Sequence, residues 1–495
     1  MSGPDELDEA LALANDSVRR RDPAARARTA TGACAAAHGR GDSDSDGDEL
    51  DAPEWLTPAS PSTGGRGPAP RTGQGRPQAP AGGREPHSHD LPWADARTYA
   101  ARAAGPVPSC TLPLSQALNH TLDAPLDALT DLPSFDTSAM DGWAVSGPGP
   151  WELADGERPD SHGLLAGDRR RPRTLPDGRA VRIATGARVP PGASAVLRYE
   201  YGELDGSRLR ATNRPQPGAD IRPRGQECRS GDRLLPTGTH VTPAVLGLAA
   251  AAGYDRLTVT RRPRAEVLVL GDELLHQGVP REGRIRDALG PMVEPWLTAL
   301  GADVLVTRRL GDDAEALHEA VATTTADVVV TTGGTARGPV DHLRPTLTRA
   351  SARLLVEGVR VRPGHPMLLA RLPAGRGSRQ PDGSGPYLVG LPGNPLAALS
   401  GLMTLAAPLI RTLADRPAEK PPSASLSDDV QGHPRDTRLV PVTCSPEQSH
   451  ARPLLYNGPA MLRGIATATA LAVVPPGGAT AGTGVPVLPL PWHGW

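Results

Sequence analysis

The chain has 495 residues, a formal net charge of -2 and 22% charged residues, a balance that gives no bulk attraction for nucleic acid or an anionic membrane surface. Its length accommodates about three domains of about 150 residues. Aromatic residues make up 3% of the chain, against 56 glycines and 55 prolines, so turns are dense and at least one unstructured segment is predicted. The four cysteines, Cys34, Cys110, Cys228 and Cys444, lie far apart without CxxC spacing, which reads as a disulfide-free cytoplasmic protein. The start, MSGPDELDEA, lacks the apolar core of a signal peptide, and no uninterrupted apolar run approaches the ~20 residues of a membrane span.

Residues 1–90 read as a disordered tail, rich in Ala, Arg, Gly, Pro, Asp and Ser and without apolar periodicity. Within it, DSDSDGDELD places Asp42, Asp44, Asp46 and Gly47 as in the first half of a calcium loop. Pro53 occupies the place of the closing glutamate and Glu54 comes one step late, so a solvated acidic patch is the expectation. His87 and His89 lack a convincing set of further ligands and read as a solvated loop.

Order is predicted from Leu91. Residues 91–262 read as N-terminal linker and β-rich subdomains: proline-broken helices from Trp93 to Leu132, then short strands and turns from Trp151 to Gly238. Thr242 and Pro243 open a helix that Gly253 stops. From 263 to 414 the pattern alternates. AEVLVLG, ADVLVT, DVVVTT and YLVGL read as strands, the first a nearly continuous apolar run of the kind a buried parallel sheet requires. Met292, Val293, Trp296, Leu297 and Leu300 share a helical face, and Asp312 with Glu315 suits a capping-box start for the next helix. Asn394 and Pro395 open a long apolar helix that Pro408 should bend or shorten. A polar linker is expected over 415–436, and residues 437–492 read as a small C-terminal β domain.

Two regions carry chemistry. SFDTSAMDGWAV, Ser134 to Val145, crowds Asp136, Thr137, Ser138 and Asp141 against Met140 and Trp143. Such acids need either a ligand or a tight hydrogen-bonded turn. In an open parallel sheet, ligands sit beyond the carboxyl ends of the strands. Three candidate elements occupy such ends: Gly271-Asp272-Glu273, Gly333-Gly334 with Asp341, and Leu391-Pro392-Gly393-Asn394. Glycines let backbone N–H groups approach an anion, and the helix after Asn394 adds a positive dipole end. Asp272 and Asp341 could hold a divalent ion between phosphates, since Mg²⁺ favours one or two carboxylates with water and phosphate oxygens. The plain alternative is a set of ordinary strand–helix turns.

The motif set closely resembles the molybdopterin molybdenumtransferase family. SFDTSAMDGWAV resembles its signature, and IATGARVPPGASAVLRYE resembles its I-x-T-G-A-x-x-P-x-G segment. IRPRGQECRSGDRLLPTG, LGDELL, TTGGTARGPVD and VRPGHP resemble further segments in the family's order, and LPGNP is unaltered. The resemblance spans about Leu91 to Leu490. It implies a multidomain α/β fold with mixed α+β N-terminal subdomains, a molybdopterin-binding α/β domain and a small C-terminal β domain. It implies an enzyme, a homodimer, that takes adenylylated molybdopterin and molybdate as substrates. The family releases AMP and inserts molybdenum with a divalent metal, Mg²⁺, and a molybdopterin adenylyltransferase is the implied partner.

Position by position, the resemblance assigns catalytic roles to Asp141, Thr185, Asp272 and Asp341 and metal-holding roles to Asp272, Asp341 and Glu227. It assigns pterin contacts to Ser138, Gly186, Gly333, Gly334, Gly338, Arg362, His365, Gly393 and Asn394. The chain departs from the pattern at several places. Gln226 stands for a glutamate, Leu270 for a threonine, Ala336 for a serine and Leu289 for an asparagine, while Arg362 and His365 stand for lysines. Three readings follow: an inserting enzyme, a non-catalytic molybdopterin carrier that has lost catalytic residues, or an adenylyltransferase suggested by TTGGTA.

Overall fold

The computed structural model describes residues 89–154, 162–336, 341–374, 385–418, 420–445, 447 and 449–492. The expectations for residues 1–88, the DSDSDGDELD patch and His87 among them, and that for Gly338 lie outside the described residues. His89 begins a strand, β1 (His89–Pro92), and not a loop. It leads directly into helix α1 (Trp93–Arg102), whose Trp93, Ala96 and Ala100 form its buried stripe.

Proline-broken helices do not continue to Leu132. After α1 the chain forms strands at Ser109–Pro113 and Thr121–Leu122, which flank Arg256–Thr260 in an antiparallel sheet. Helix α2 (Pro243–Ala251) covers this sheet, and Thr242 caps it by accepting a hydrogen bond from the Val245 N–H. Between these pieces lies a sheet that has six strands among the described residues. Next to one edge, Gly142–Val145 is flanked by Arg179–Ile183 and by the edge strand Ala195–Arg198. Alternation splits its core: Trp143 and Val145 face one apolar cluster, Ala144 the other.

The remainder builds one large sheet. Its α/β part contains β2 (Arg264–Leu270), α3 (Leu289–Leu300), β3 (Asp303–Leu310), α4 (Ala314–Thr323), β4 (Val328–Thr332) and α5 (Leu343–Arg349). It continues with β5 (Arg353–Arg362), β6 (Leu368–Arg371), β7 (Tyr387–Leu391) and α6 (Pro395–Leu413). The C-terminal part adds β8 (Ser423–Leu426), β9 (Thr437–Cys444), β10 (His450–Pro453), α7 (Leu462–Thr467), β11 (Ala470–Val474) and β12 (Gly484–Pro489). Among the described residues the sheet has twelve strands, ordered β3-β2-β4-β7-β6-β5-β9-β10-β8-β12-β11, with β1 beside β5. Strands β3, β2, β4 and β7 are parallel, β6 runs against β7 and β5, and β5 passes the sheet on to β9 through Val361 and Arg362.

The apolar runs are continuous because both faces of this sheet are covered. Val267, Val269, Val328, Val330 and Val389 point into a core shared with α1, α3 and α6. Leu268, Val329 and Leu388 point the other way, against Leu317 and Val321 of α4 and Leu343 of α5. Helix α1, read with the N-terminal subdomains, packs into the first of these cores. Strand β8 likewise forms within the stretch read as linker, pairing with β12 and β10.

Helix α6 runs 19 residues, long and apolar enough by composition to cross a membrane, but 83% of it is buried inside the protein. Pro408 does not end it. Leu402–Ala406 winds as a wider π turn, and Pro408 falls at the start of the resumed α segment, where a missing N–H matters least. The widened turn presents Thr404, whose hydroxyl accepts the Trp93 indole N–H at 3.0 Å in the core. Thr404→Val keeps the shape and leaves that N–H unsatisfied. It should lower unfolding stability by about 1–3 kcal/mol in urea titrations, whereas Thr412→Val, at a partly buried site, should cost less.

Candidate functional site

The acids of SFDTSAMDGWAV are satisfied by a turn. Thr137–Ser138 pairs with Ile221–Arg222, and the chain then turns into Gly142–Val145. Gly142 is required there, since a Cβ would stand 2.0 Å from the Leu197 carbonyl oxygen. The Asp136 carboxylate accepts the Arg224 N–H at 2.7 Å. The Asp141 carboxylate accepts the Thr185 N–H at 2.7 Å and the Thr185 hydroxyl at 3.0 Å. Gly186, at φ +77°, donates its N–H to the Ser138 carbonyl, and the Ser138 hydroxyl donates to the Met140 carbonyl. Ser138, Asp141, Thr185 and Gly186 therefore form one hydrogen-bonded corner. Ser138 is buried as its brace, whereas Asp141 and Thr185 are exposed.

The second cluster stands at the strand ends. Leu270 ends β2, Leu310 ends β3 and Thr332 ends β4, and the turns after them enclose a cavity of about 100 Å³. Asp341, Glu273, Asp312, Asp313 and the paired glycines Gly333 and Gly334 contribute to its walls. The Gly333 N–H donates to the Leu391 carbonyl, and Gly393 packs against Gly333, so the end of β7 adjoins the same place. Asp341 lines the cavity but Asp272 does not. The Asp272 carboxylate fills the space beside Gly311, where a Cβ would be 2.3 Å from its Oδ1, and Glu273 takes the place on the wall.

Asp313, not Asp312, caps α4, accepting from the Glu315 and Ala316 N–H groups. Asp312 and Asp313 both stand on the cavity wall, and Glu315 pairs with Arg349. Asp312 and Glu273 were legible: both follow the last apolar residue of a parallel strand, the same signal that singled out Asp272. The donor set suits a hard cation, being carboxylate oxygens at a mouth where phosphate could enter. Among the described residues no three His, Cys, Asp or Glu side chains are grouped for metal holding. A Mg²⁺ ion would therefore need substrate phosphate and water to complete its shell, as that ion commonly does.

The other anticipated groups are engaged elsewhere. Glu227 is exposed on the loop whose backbone pairs with Leu132, outside the cavity. Arg362 donates through Nε to Asp436 at 2.8 Å. His365 places Nδ1 3.0 Å from the Val359 carbonyl and Nε2 3.4 Å from Asp90. The Gly364 turn lies against α6, 3.0 Å from the Ala397 carbonyl for a Cβ built there. Asn394 precedes α6 without capping it through its side chain. The Pro459 carbonyl, from the C-terminal part, accepts the Leu396 N–H at 2.9 Å and the Ala397 N–H at 3.4 Å. A protein carbonyl thus takes N–H groups at the helix end that the sequence offered to an anion. Arg438, unremarked in the sequence, is the ladder partner of Arg362 and donates to Gln431 and Asn457.

Comparison with known proteins then decides the family. Residues 91–253 match the MoeA N-terminal region (domain I and II), 266–412 the probable molybdopterin binding domain, and 423–490 the MoeA C-terminal region (domain IV). The molybdopterin molybdenumtransferase 2 of Mycobacterium tuberculosis is 34% identical over 63% of this chain and 76% of its own length. The molybdopterin molybdenumtransferase of Staphylococcus aureus strain COL is 30% identical over 62% of this chain and 71% of its own. The chain belongs to the molybdopterin molybdenumtransferase family. It is an enzyme of that family, with the family's role in molybdenum cofactor biosynthesis. The molybdopterin biosynthesis MoeA protein from Pyrococcus horikosii shares the fold, with a TM-score of 0.63 and 23% identity over 82% of this chain and all of that one. The matches on both sides of the α/β part separate this family member from an adenylyltransferase made of that part alone.

The transferase's signature corner is braced by a two-point ion pair. Arg198 donates Nε and Nη2 to Asp220, each at 2.8 Å, while the Asp220 carbonyl holds the Ala139 N–H. The Arg198 hydrogen bond is the main cause holding Asp220 below its ordinary value of 3.8. A depressed carboxyl stabilises the fold above its unfolded value and loses that stabilisation as pH falls through the folded one. Asp220→Asn should therefore be less stable than the parent at pH 7. The gap should close as pH drops below 3.8, in denaturant titrations at stepped pH. A gap unchanged with pH would remove the ion pair from the account.

Proposed function

We propose that this transferase inserts molybdenum from molybdate into adenylylated molybdopterin, with Mg²⁺, and releases AMP. The observation that carries the reading is the strand-end cavity, where Asp341, Glu273 and Asp312 meet glycine turns open to a phosphate. A bound Mg²⁺ would neutralise charge developing on the phosphate that leaves. Asp341, with Glu273, would hold that ion from one side. Gly333 and Gly334 would let the backbone approach the phosphate without side-chain obstruction. Asp141 and Thr185 present a short exposed acceptor and hydroxyl in fixed orientation, suited to hydrogen-bonding the pterin or the oxyanion. The homodimer and supply of substrate by a molybdopterin adenylyltransferase belong to the same proposal, on the strength of the family.

A specific observation favours the second reading, a carrier without turnover. Arg362 is paired with Asp436, and His365 lies between the Val359 carbonyl and Asp90. The two cationic replacements are thus tied to protein groups. A carrier would bind adenylylated molybdopterin and release no AMP under any metal condition.

Incubation of the full chain with adenylylated molybdopterin, molybdate and Mg²⁺, followed by chromatography of AMP, separates the readings. Turnover is expected. Asp341→Ala should lower the rate by about 10²–10³-fold, the scale of losing one preorganised charge-stabilising group. Asp141→Ala should act mainly on KM, with stability nearly unchanged because the carboxylate is exposed. Full activity in Asp341→Ala would detach the cavity from the chemistry.

A further inference from the structure

The turns at the strand ends carry one more element, between Leu275 and Asp287. Leu274–Leu275 and Ile285–Arg286 pair in parallel, and the chain between them closes in a tight hairpin. Its tip has Glu282 at φ +54° and Gly283 at φ +74°, with the Arg284 N–H donating to the Arg281 carbonyl at 3.0 Å. That is the backbone of a two-residue primed turn, which fixes its flanking residues face to face. Those residues are both arginines, Arg281 opposite Arg284. Like charges placed opposite each other are unfavourable. Glu282 relieves this only weakly, at 3.4 Å from Arg284 and with its side chain 74% exposed. The aliphatic side chains of Val279 and Ile285 on the same hairpin are 78% and 55% exposed.

The hairpin is rooted in the cavity wall. The Ile285 N–H donates to the Glu273 carbonyl at 2.9 Å, and the Asp287 N–H to the Leu275 carbonyl at 3.0 Å. Asp287 is then buried, paired with Arg309 and accepting the Gly290 N–H, so the base is rigid. An adenylylated pterin brings a phosphoanhydride to a cavity walled by carboxylates, which repel it. Guanidinium groups match phosphate oxygens in charge and geometry.

We propose that this hairpin receives the nucleotide arm of the adenylylated substrate, with Arg281 and Arg284 on its phosphate. The inference rests on the insertion reading for the identity of the substrate. Its own test uses AMP alone as the probe, on the full chain, by titration calorimetry. Arg281→Ala/Arg284→Ala should weaken AMP binding at least about tenfold, the scale of losing charge-assisted hydrogen bonds. Arg281→Lys/Arg284→Lys should recover part of it in a salt-sensitive way. In the turnover assay the alanine pair should raise KM about tenfold while kcat moves less than about twofold, the mark of an interaction made equally in ground and transition states. Because both side chains are exposed and face each other with like charge, the thermal midpoint should not fall. AMP affinity within about twofold of the parent in the alanine pair, or no AMP binding by the parent chain at millimolar ligand, would overturn the hairpin assignment. If the parent binds AMP through the arginines yet releases none from substrate, the insertion reading fails and the hairpin assignment stands.

Discussion

The burial of both faces of the parallel strands is the constraint on which the rest depends. Val267 and Val269 face one layer of helices and Leu268 the other, so β2 has no solvent face on which to carry a reactive group. Chemistry can stand only where such strands stop. Leu270, Leu310 and Thr332 are those stopping points, and the turns beyond them bring Glu273, Asp312 and Asp341 to one small cavity. Positive φ at Gly271, Gly333 and Gly334 lets the chain leave the sheet sharply enough for this to happen.

Two kinds of candidate site result. The signature corner is rigid and internally satisfied: Asp141 has its donors from Thr185, and Gly142 closes the gap to Leu197. It can orient a ligand by hydrogen bonds without rearranging. The strand-end cavity is carboxylate-rich, so an anionic substrate needs a cation or guanidinium groups there. The C-terminal part contributes by occupying the first N–H groups of α6 with the Pro459 carbonyl, which fixes the loop carrying Gly393 and Asn394.

Much of this was legible where local signals and distant partners agree. Continuous apolar runs marked the parallel strands, and Thr242-Pro243 marked the start of α2. The ordered motifs marked the family. Legibility failed where a partner far along the chain decides the outcome. Ser109–Pro113 reads as a broken helix until Arg256–Thr260 pairs with it, and Ser423–Leu426 reads as linker until β12 does. Asp312 and Asp313 are adjacent acids, and which one caps α4 depends on backbone geometry (φ -109°, ψ 109° at Asp313) that composition does not encode. Pro459 gave no signal, since its contribution is a backbone carbonyl.

The central claim is that the strand-end cavity holds a divalent ion only together with a phosphate. Electron paramagnetic resonance of Mn²⁺, standing in for Mg²⁺, tests it most directly on the full chain. The account predicts weak Mn²⁺ binding by the protein alone, marked tightening when adenylylated molybdopterin is added, and loss of that tightening in Asp341→Asn. Mn²⁺ binding indifferent to the pterin, or tightening that survives in Asp341→Asn, would contradict it.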